Sequence, residues 1–246
     1  MLLSFLGTNG WYDTPAGNTA CLVLQTAREH IVLDAGNGVY KLDCFVLDRK
    51  PIYLFVSHYH CDHIYGLHIL NKFDFPQGIQ IYGPKGAKKY LGDLLRLPYT
   101  VPLNKLKTMV GIHDIDAART LPVAMEFRQL KHPSPCYGYR FSIEGKAVAY
   151  CTDTALNKNI VLLGKDTDLL VTECSFATGM DGAKAGHLTP EDAAGAAKEA
   201  NAKRLILTHF DPVLYPDEED RLKAVKAARR IFSNTIAAFD DMIVEV

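Results

Sequence analysis

Three imidazoles and a carboxylate fall within six positions of this chain, in Ser57-His58-Tyr59-His60-Cys61-Asp62-His63. Imidazole and carboxylate are the ligand types that zinc and related divalent ions take. The cluster directly follows the apolar run 51–56, so it stands where a buried strand opens into a loop. If the loop starts extended, His58 and His60 point the same way, because side chains alternate along a strand. Asp62 and His63 then need a turn to face a second position, which suggests two metals rather than one. A lone histidine is more often a packed or surface residue than a ligand. Four ligand-type side chains on one strand end, with His68 close behind, favour a metal site over chance clustering.

A two-metal site needs more ligands than this loop provides, and they must come from the ends of other strands. His132 follows the β-type run 125–131 and precedes Pro133. Asp153 follows 147–151, in Tyr150-Cys-Thr-Asp-Thr, and His209 follows 204–208, in Leu207-Thr-His-Phe-Asp-Pro. Each alone could be a turn or capping residue, and for Asp153 that reading is strong, but all three share the position of the His loop. Asp34 also ends a strand, in Leu33-Asp-Ala-Gly-Asn-Gly, where its carboxylate could orient a ligand histidine from behind or simply serve the turn. His187 stands two residues before Thr189, which with Pro190 and Asp192 makes the N-cap, first position and capping-box acid of a helix. Exposed N–H groups there can favour an anion; a surface turn histidine explains the spacing equally well.

Short β-type runs recur at 2–6, 19–26, 31–34, 52–56, 79–82, 125–131, 137–143, 147–151, 169–172, 204–208 and 242–246. Helical stretches lie at 38–47, 64–73, 85–95, 156–162, 190–200 and 218–233. Two sheets packed together and covered by helices accommodate this order. No Pro/Ser-rich linker divides the chain, so 1–246 reads as one α/β domain. With 48% hydrophobic residues and a net charge of −1, its signs mixed along the chain, nothing predicts a surface for long nucleic acid. The six cysteines form no Cys-x-x-Cys pair; most sit beside apolar runs and read as small hydrophobes, which suggests a reducing cytoplasm. The first residues read as a strand and turn rather than a signal peptide, and no apolar run approaches the ~20 residues that span a bilayer.

The pattern His-x-His-x-Asp-His, with strand-end Asp34 before it and spaced His132, Asp153 and His209 after it, resembles the metallo-β-lactamase superfamily over essentially the whole chain. The resemblance implies an α/β fold, a four-layer αββα sandwich, with the metals at one edge of the two sheets. Position by position it places His58, His60 and His132 at the first metal, Asp62, His63 and His209 at the second, and Asp153 between them. Tyr82-Gly-Pro-Lys-Gly, Gly138-Tyr-Arg, Tyr150-Cys-Thr-Asp-Thr, Glu173 in Val171-Thr-Glu-Cys-Ser-Phe and His187 in Gly-His-Leu-Thr-Pro are similar to the ribonuclease Z and phosphodiesterase branch. There a Glu and a His matching Glu173 and His187 assist phosphodiester cleavage. True β-lactamases usually carry cysteine at the bridging position, so Asp153 argues against that activity. Ribonuclease Z enzymes typically carry a tRNA-gripping arm between the residues matching His132 and Asp153. Here that interval holds twenty residues, almost all consumed by two strands.

What the resemblance implies is hydrolysis of a small or cyclic phosphodiester by hydroxide held between two cations. Zinc suits the His-rich shell, with manganese and iron as alternatives. Asp62 would orient the hydroxide while ligating metal, and His187, positioned by Glu173, would contact the phosphate or protonate the leaving alkoxide. A hydrolase of a lactone, thioester or β-lactam uses the same activated water and is the first rival. A tRNA 3′-processing nuclease is disfavoured by the missing arm, and a di-iron redox protein by His60, where that branch generally has Glu. A non-catalytic metal-binding module is the alternative of a different class. Neither long nucleic acid nor a membrane is expected as a partner; a homodimer is compatible with the sequence, which leaves the oligomeric state open. Trp11 could border the cleft or equally cap the core, Tyr12 and Tyr137 raise the same question for substrate stacking, Arg140 could reach a phosphate or make a strand-face salt bridge, and Cys61 reads as packing.

Overall fold

The computed structural model describes residues 1–182 and 185–246. The β-type runs form β1 (Leu2–Gly7), β2 (Cys21–Gln25), β3 (His30–Leu33), β4 (Ile52–Phe55), β5 (Ile79–Gly83) and β6 (Val110–Asp114), then β7 (Met125–Gln129), β8 (Tyr137–Ile143), β9 (Lys146–Cys151), β10 (Leu169–Glu173), β11 (Leu205–Thr208), β12 (Thr235–Ala237) and β13 (Ile243–Glu245). They build one sheet ordered β13-β1-β2-β3-β4-β5-β6 and another ordered β12-β11-β10-β9-β8-β7. In the first sheet β13 to β3 pair antiparallel and β3 to β6 parallel. In the second, β12 to β9 are parallel while β8 and β7 return antiparallel. Parallel strands end on one side, and a crevice outside their carboxyl ends is where such sheets collect functional groups.

The two sheets pack face to face over Leu3, Phe5, Leu22, Leu24, Tyr139 and Val171, all fully buried. Phe55 sits at the middle of this layer, its ring 5.4 Å from Tyr82, 5.6 Å from Tyr139 and 5.5 Å from Phe141. The outer face of the first sheet is covered by 3₁₀ segments Asn37–Cys44 and Tyr65–Lys72, by α1 (Cys61–Ile64) and by α2 (Ala87–Leu94). The second carries α3 (Lys158–Gly164), α4 (Pro190–Glu199) and α5 (Glu218–Ala228). The result is the four-layer αββα sandwich. Ala193, Ala194, Ala196 and Ala197 of α4 are all buried, so the helix axis comes close to the sheet. Its start has the expected capping box of Thr189 and Asp192.

Where the structure departs from the sequence reading, packing explains it. The helical spacings at 38–47 and 64–73 wind mainly as 3₁₀ turns pressed together near the sheet. A Cβ on Gly66 would stand 2.2 Å from the Gly36 carbonyl oxygen, so only glycine permits this approach. Strands β6 and β12 are edge strands; every residue of β6 is partly exposed, and its apolar residues are only two, Val110 and Ile112. Cys21, Cys136, Cys151 and Cys174 are buried, and burial pushes their thiols up, away from thiolate chemistry. Among the described residues no helix is long and apolar enough to cross a membrane.

Phe55 fills the inter-sheet layer in contact with three rings, so Phe55→Ala leaves a cavity that the sheets cannot close. It should lower stability by about 3–5 kcal/mol, measured as a reduced midpoint in urea denaturation; a change below about 1 kcal/mol would contradict this packing.

Candidate metal centre

The chemistry-bearing residues leave the sheets at a single edge. Asp34 follows β3, His58 lies just beyond β4, His132 beyond β7, Asp153 beyond β9 and His209 after β11, while Glu173 closes β10. Four residues bordering this edge, Trp11, Asp34, Asp153 and His209, have left-handed φ angles of 60°, 58°, 45° and 52°. For residues with side chains such backbone costs roughly 1–3 kcal/mol and persists only where the surroundings over-determine it. Sheet pairing supplies that restraint: Asp34 N–H donates to the Phe55 carbonyl at 2.9 Å and Phe210 N–H to that of Thr8 at 3.0 Å. The sharp turn redirects each side chain along the sheet edge.

Two groups of ligand atoms result. His58, His60, His132 and Asp153 bring one donor each within 4.8 Å of one another, as do Asp62, His63 and His209. Asp153 stands between the groups. Its Oδ1 lies 3.2 Å from His63 Nε2 and 3.1 Å from His209 Nε2, and its Oδ2 lies 3.6 Å from His58 Nε2. Asp62 Oδ2 is 3.3 Å from His209 Nε2 and 3.4 Å from His63 Nε2. His58 Nε2 is buried without a hydrogen-bond partner, which costs about 1–3 kcal/mol for such a group unless a cation accepts its lone pair. Burial, then the neighbouring His63, pushes the His58 imidazole well below its ordinary pKa, and burial also lowers His132. Both are thereby kept as neutral donors. Burial alone would raise Asp62 and Asp153, yet the imidazoles of His63 and His209 hold both carboxyls well below the usual range. Burial resists charge on His63 and His209 as well, but Asp153 pushes both up. Buried carboxylates ringed by imidazoles make a pocket that calls for positive charge, and this donor set fits divalent cations.

A layer behind the donors fixes which ring nitrogen faces inward. Asp34 Oδ2 accepts from His63 Nδ1 at 2.9 Å, from Tyr150 at 2.8 Å and from the Ser57 hydroxyl at 2.9 Å; its Oδ1 accepts from Ser57 N–H at 2.6 Å. With Nδ1 committed to Asp34, Nε2 is the ring nitrogen that His63 turns toward Asp153 and His209. Ser175 Oγ donates to the His209 carbonyl at 2.9 Å and so accepts from His209 Nδ1 at 3.0 Å. The Gly186 carbonyl accepts from His132 Nδ1 at 3.3 Å. Gly10 passes under the His209 ring so closely that a Cβ there would meet Cε1 at 2.5 Å. Trp11 N–H donates to Asp62 Oδ2 at 2.8 Å.

Beside the donors, fully buried Glu173 accepts from the backbone N–H groups of Thr154, Ser175 and Leu188 and from His187 Nδ1 at 2.9 Å. Burial works against a charge on His187, but Glu173 outweighs it and the imidazole is pushed up to about 9. Nε2, on the other side of this ring, is left toward a cavity of about 240 Å³ lined also by Trp11, His60, Asp62, Asp153 and His209.

The structure therefore brings together His58, His60, Asp62, His63, His132, Asp153 and His209, with Asp34 behind them and Glu173–His187 beside them. It does not bring in Tyr137, whose hydroxyl donates to Asp116 at 2.6 Å, or Arg140, which bonds the Leu163 and Lys165 carbonyls under α3. His68 turns away, its Nδ1 on the Tyr65 carbonyl, and Cys61 is exposed. Ser57, Tyr150, Ser175, Gly10 and Phe176 carry no assigned role in the sequence reading. Ser57 and Ser175 sit at the same strand ends as the ligands, so a search there for hydrogen-bonding types would have found them. Tyr150 reaches Asp34 across the two sheets, which no local pattern announces.

A family model described as a beta-lactamase superfamily domain matches residues 29–210. Ribonuclease Z of Crocosphaera subtropica is 29% identical over 313 aligned positions, covering 100% of this chain and 98% of that protein. Those 313 positions exceed the 246 residues of this chain by 67. The probable metallo-hydrolase YhfI of Bacillus subtilis is 28% identical over 227 positions, 85% of this chain and 87% of that protein. Its crystal structure superposes with a TM-score of 0.83 at 24% identity, covering 100% of this chain and 99% of that one. The short form of human tRNase Z superposes with a TM-score of 0.78 at 24% identity, covering 100% and 99%.

Replacing Asp34 by Asn keeps the size but removes the acceptor that orients His63. Such partners are worth roughly 10- to 100-fold in metal affinity. Competition of Asp34→Asn against a chelator should show a loss of that size; unchanged affinity would separate Asp34 from the metal site.

Proposed function

This chain belongs to the beta-lactamase superfamily and is a metal-dependent hydrolase; on that premise we propose that it cleaves a phosphodiester, small or cyclic, with two divalent cations. The His58, His60 and His132 imidazoles would hold the first cation and Asp62, His63 and His209 the second, with Asp153 shared. The imidazole-rich set supports zinc. Two such cations, when bound, lower the pKa of a water and neutralise charge developing on phosphate oxygens.

The observation that carries the phosphodiester reading is the Glu173–His187 pair. A buried carboxylate holds the imidazole at Nδ1 and favours its protonated form. His187 thus meets an anionic substrate with a positive charge, and its Nε2 proton is available to a leaving alkoxide. Glu173 serves as a positioning residue, since its lone pairs are taken by three backbone N–H groups and His187. Asp62, ligating and also bonded to Trp11 N–H, has a carboxylate fixed at the cavity wall where it orients the attacking water. Proton transfer by a placed side chain is typically worth 10²–10⁴-fold.

Substrate size follows from the interval between His132 and Asp153. It is taken up mainly by β8, the turn at 144–145 and β9, which leaves no room within that interval for an arm that grips a long RNA. We read 1–246 as one domain, because β1 and β13, from distant parts of the sequence, pair in one sheet.

The test is a hydrolysis panel with metal-loaded protein: an aryl phosphodiester, a cyclic nucleotide, precursor tRNA, a lactone and a β-lactam. Turnover of the phosphodiesters, abolished by chelator, is expected; activity confined to the lactone or β-lactam would overturn the proposal. His187→Ala should reduce kcat by about 10²–10⁴-fold while metal content, measured by elemental analysis, stays at the wild-type level. Full turnover by this variant would remove His187 from the mechanism.

A further inference from the structure

Trp11 is the only tryptophan of the chain and is 68% exposed, yet its position is tightly determined. Its backbone is left-handed, and its N–H is spent on Asp62. On either side, Gly10 N–H donates to the Phe210 carbonyl at 2.9 Å and Tyr12 N–H to that of Gly10 at 2.7 Å. Asn9 Nδ2 donates to the Tyr12 carbonyl at 3.1 Å and to that of Gly17 at 2.9 Å, and its Oδ1 accepts from the buried guanidinium of Arg221. The Tyr12 ring meets the indole edge-on at 5.3 Å. A bulky aromatic held at unfavourable φ, outside the core, gains little from burial, and residues kept this way cluster at ligand-holding sites.

Trp11 lines the same cavity as His60, Asp62, His187 and His209, and Phe176 lines it too, its ring 5.6 Å from that of His187. At about 240 Å³ the cavity is below the roughly 300–1,000 Å³ of pockets that enclose a drug-sized ligand. It can take a phosphate, and whatever the phosphate carries must lie at the mouth, against Trp11. We propose that Trp11, aided by Phe176, is a stacking subsite for a flat aromatic group borne by the phosphate, a nucleobase or an aryl ring. The substrate class is then an aromatic-bearing phosphodiester. The proposal rests on the phosphodiester reading above and adds a specificity-determining residue to it. Every such ring has a π-face, so stacking selects for aromaticity without reading base identity.

The lone tryptophan makes the test independent of turnover. Metal-loaded protein is titrated with adenosine 5′-monophosphate, phenyl phosphate and glycerol phosphate, following indole fluorescence and, separately, heat of binding. The aromatic phosphates should quench at saturation while glycerol phosphate, bound to the same extent, should not. Trp11→Leu should weaken the aromatic ligands by roughly 5- to 150-fold, the range of one base–aromatic stack, and glycerol phosphate less than about twofold; Trp11→Phe should restore most of the difference. Retained glycerol phosphate binding shows that Trp11→Leu folds and loads metal. Preference for adenosine 5′-monophosphate over phenyl phosphate, or the reverse, assigns the ring to a nucleobase or an aryl group. Equal affinity for aromatic and glycerol phosphates in the wild type, or equal weakening of all three in Trp11→Leu, would overturn the stacking subsite and leave the phosphodiester reading standing. If none of the three binds, the stacking subsite falls, and the phosphodiester reading is decided by the hydrolysis panel alone.

Discussion

A fully buried carboxylate, Asp34, ties the two sheets together at the edge where the site is built. It leaves β3 of one sheet, accepts from Ser57 and His63 beyond β4, and accepts from Tyr150 on β9 of the other sheet. An isolated buried charge would be prohibitive, but a carboxylate with several donors is stable where an unsatisfied one is not. That requirement sets the register of the two sheets at this point, because Tyr150 must face inward while Ser57 and His63 come round beneath it. Once the register is set, His58, Asp153 and His209 emerge on the same edge. Satisfying one buried carboxylate and gathering the ligand-type side chains thus draw on the same strand ends.

The same edge concentrates unfavourable backbone. Asp34, Asp153 and His209 each follow a strand in left-handed conformation, and Gly10 passes under His209 where a methyl group would collide. Extended strands would carry these side chains into the core or out to solvent in alternation. Turning them along the edge works against local preference, and the sandwich on both sides supplies the restraint. Rigid placement matters here, since donors for a metal must hold their geometry before the cation arrives.

Much of this arrangement is legible in the sequence, for unequal reasons. The segment from His58 to His63 is visible because its ligand types are neighbours in the chain. His132, Asp153 and His209 are visible only after strands are assigned, because their common property is to follow one. The sheet strands with continuous apolar runs are equally plain, whereas β6 and β12 lie at edges with little to bury. Tyr150 is harder: its contribution is a hydrogen bond to Asp34 across the two sheets, and its type does not announce it. Gly10 is hardest, since its importance lies in an atom it lacks.

The donors around Asp153 are widely spread along the chain. His60 and His132 are 72 residues apart, and His63 and His209 are 146 apart. In polymer terms, a cation shared by such donors is a cross-link closing long loops, and loop-closure entropy rises only slowly with length, about 0.6 kcal/mol per doubling. The unfolded chain cannot assemble these donors, so the free energy of a cation bound by them would become free energy of folding. The persistence of the folded chain is then coupled, through mass action, to the free concentration of its cation in the surrounding medium.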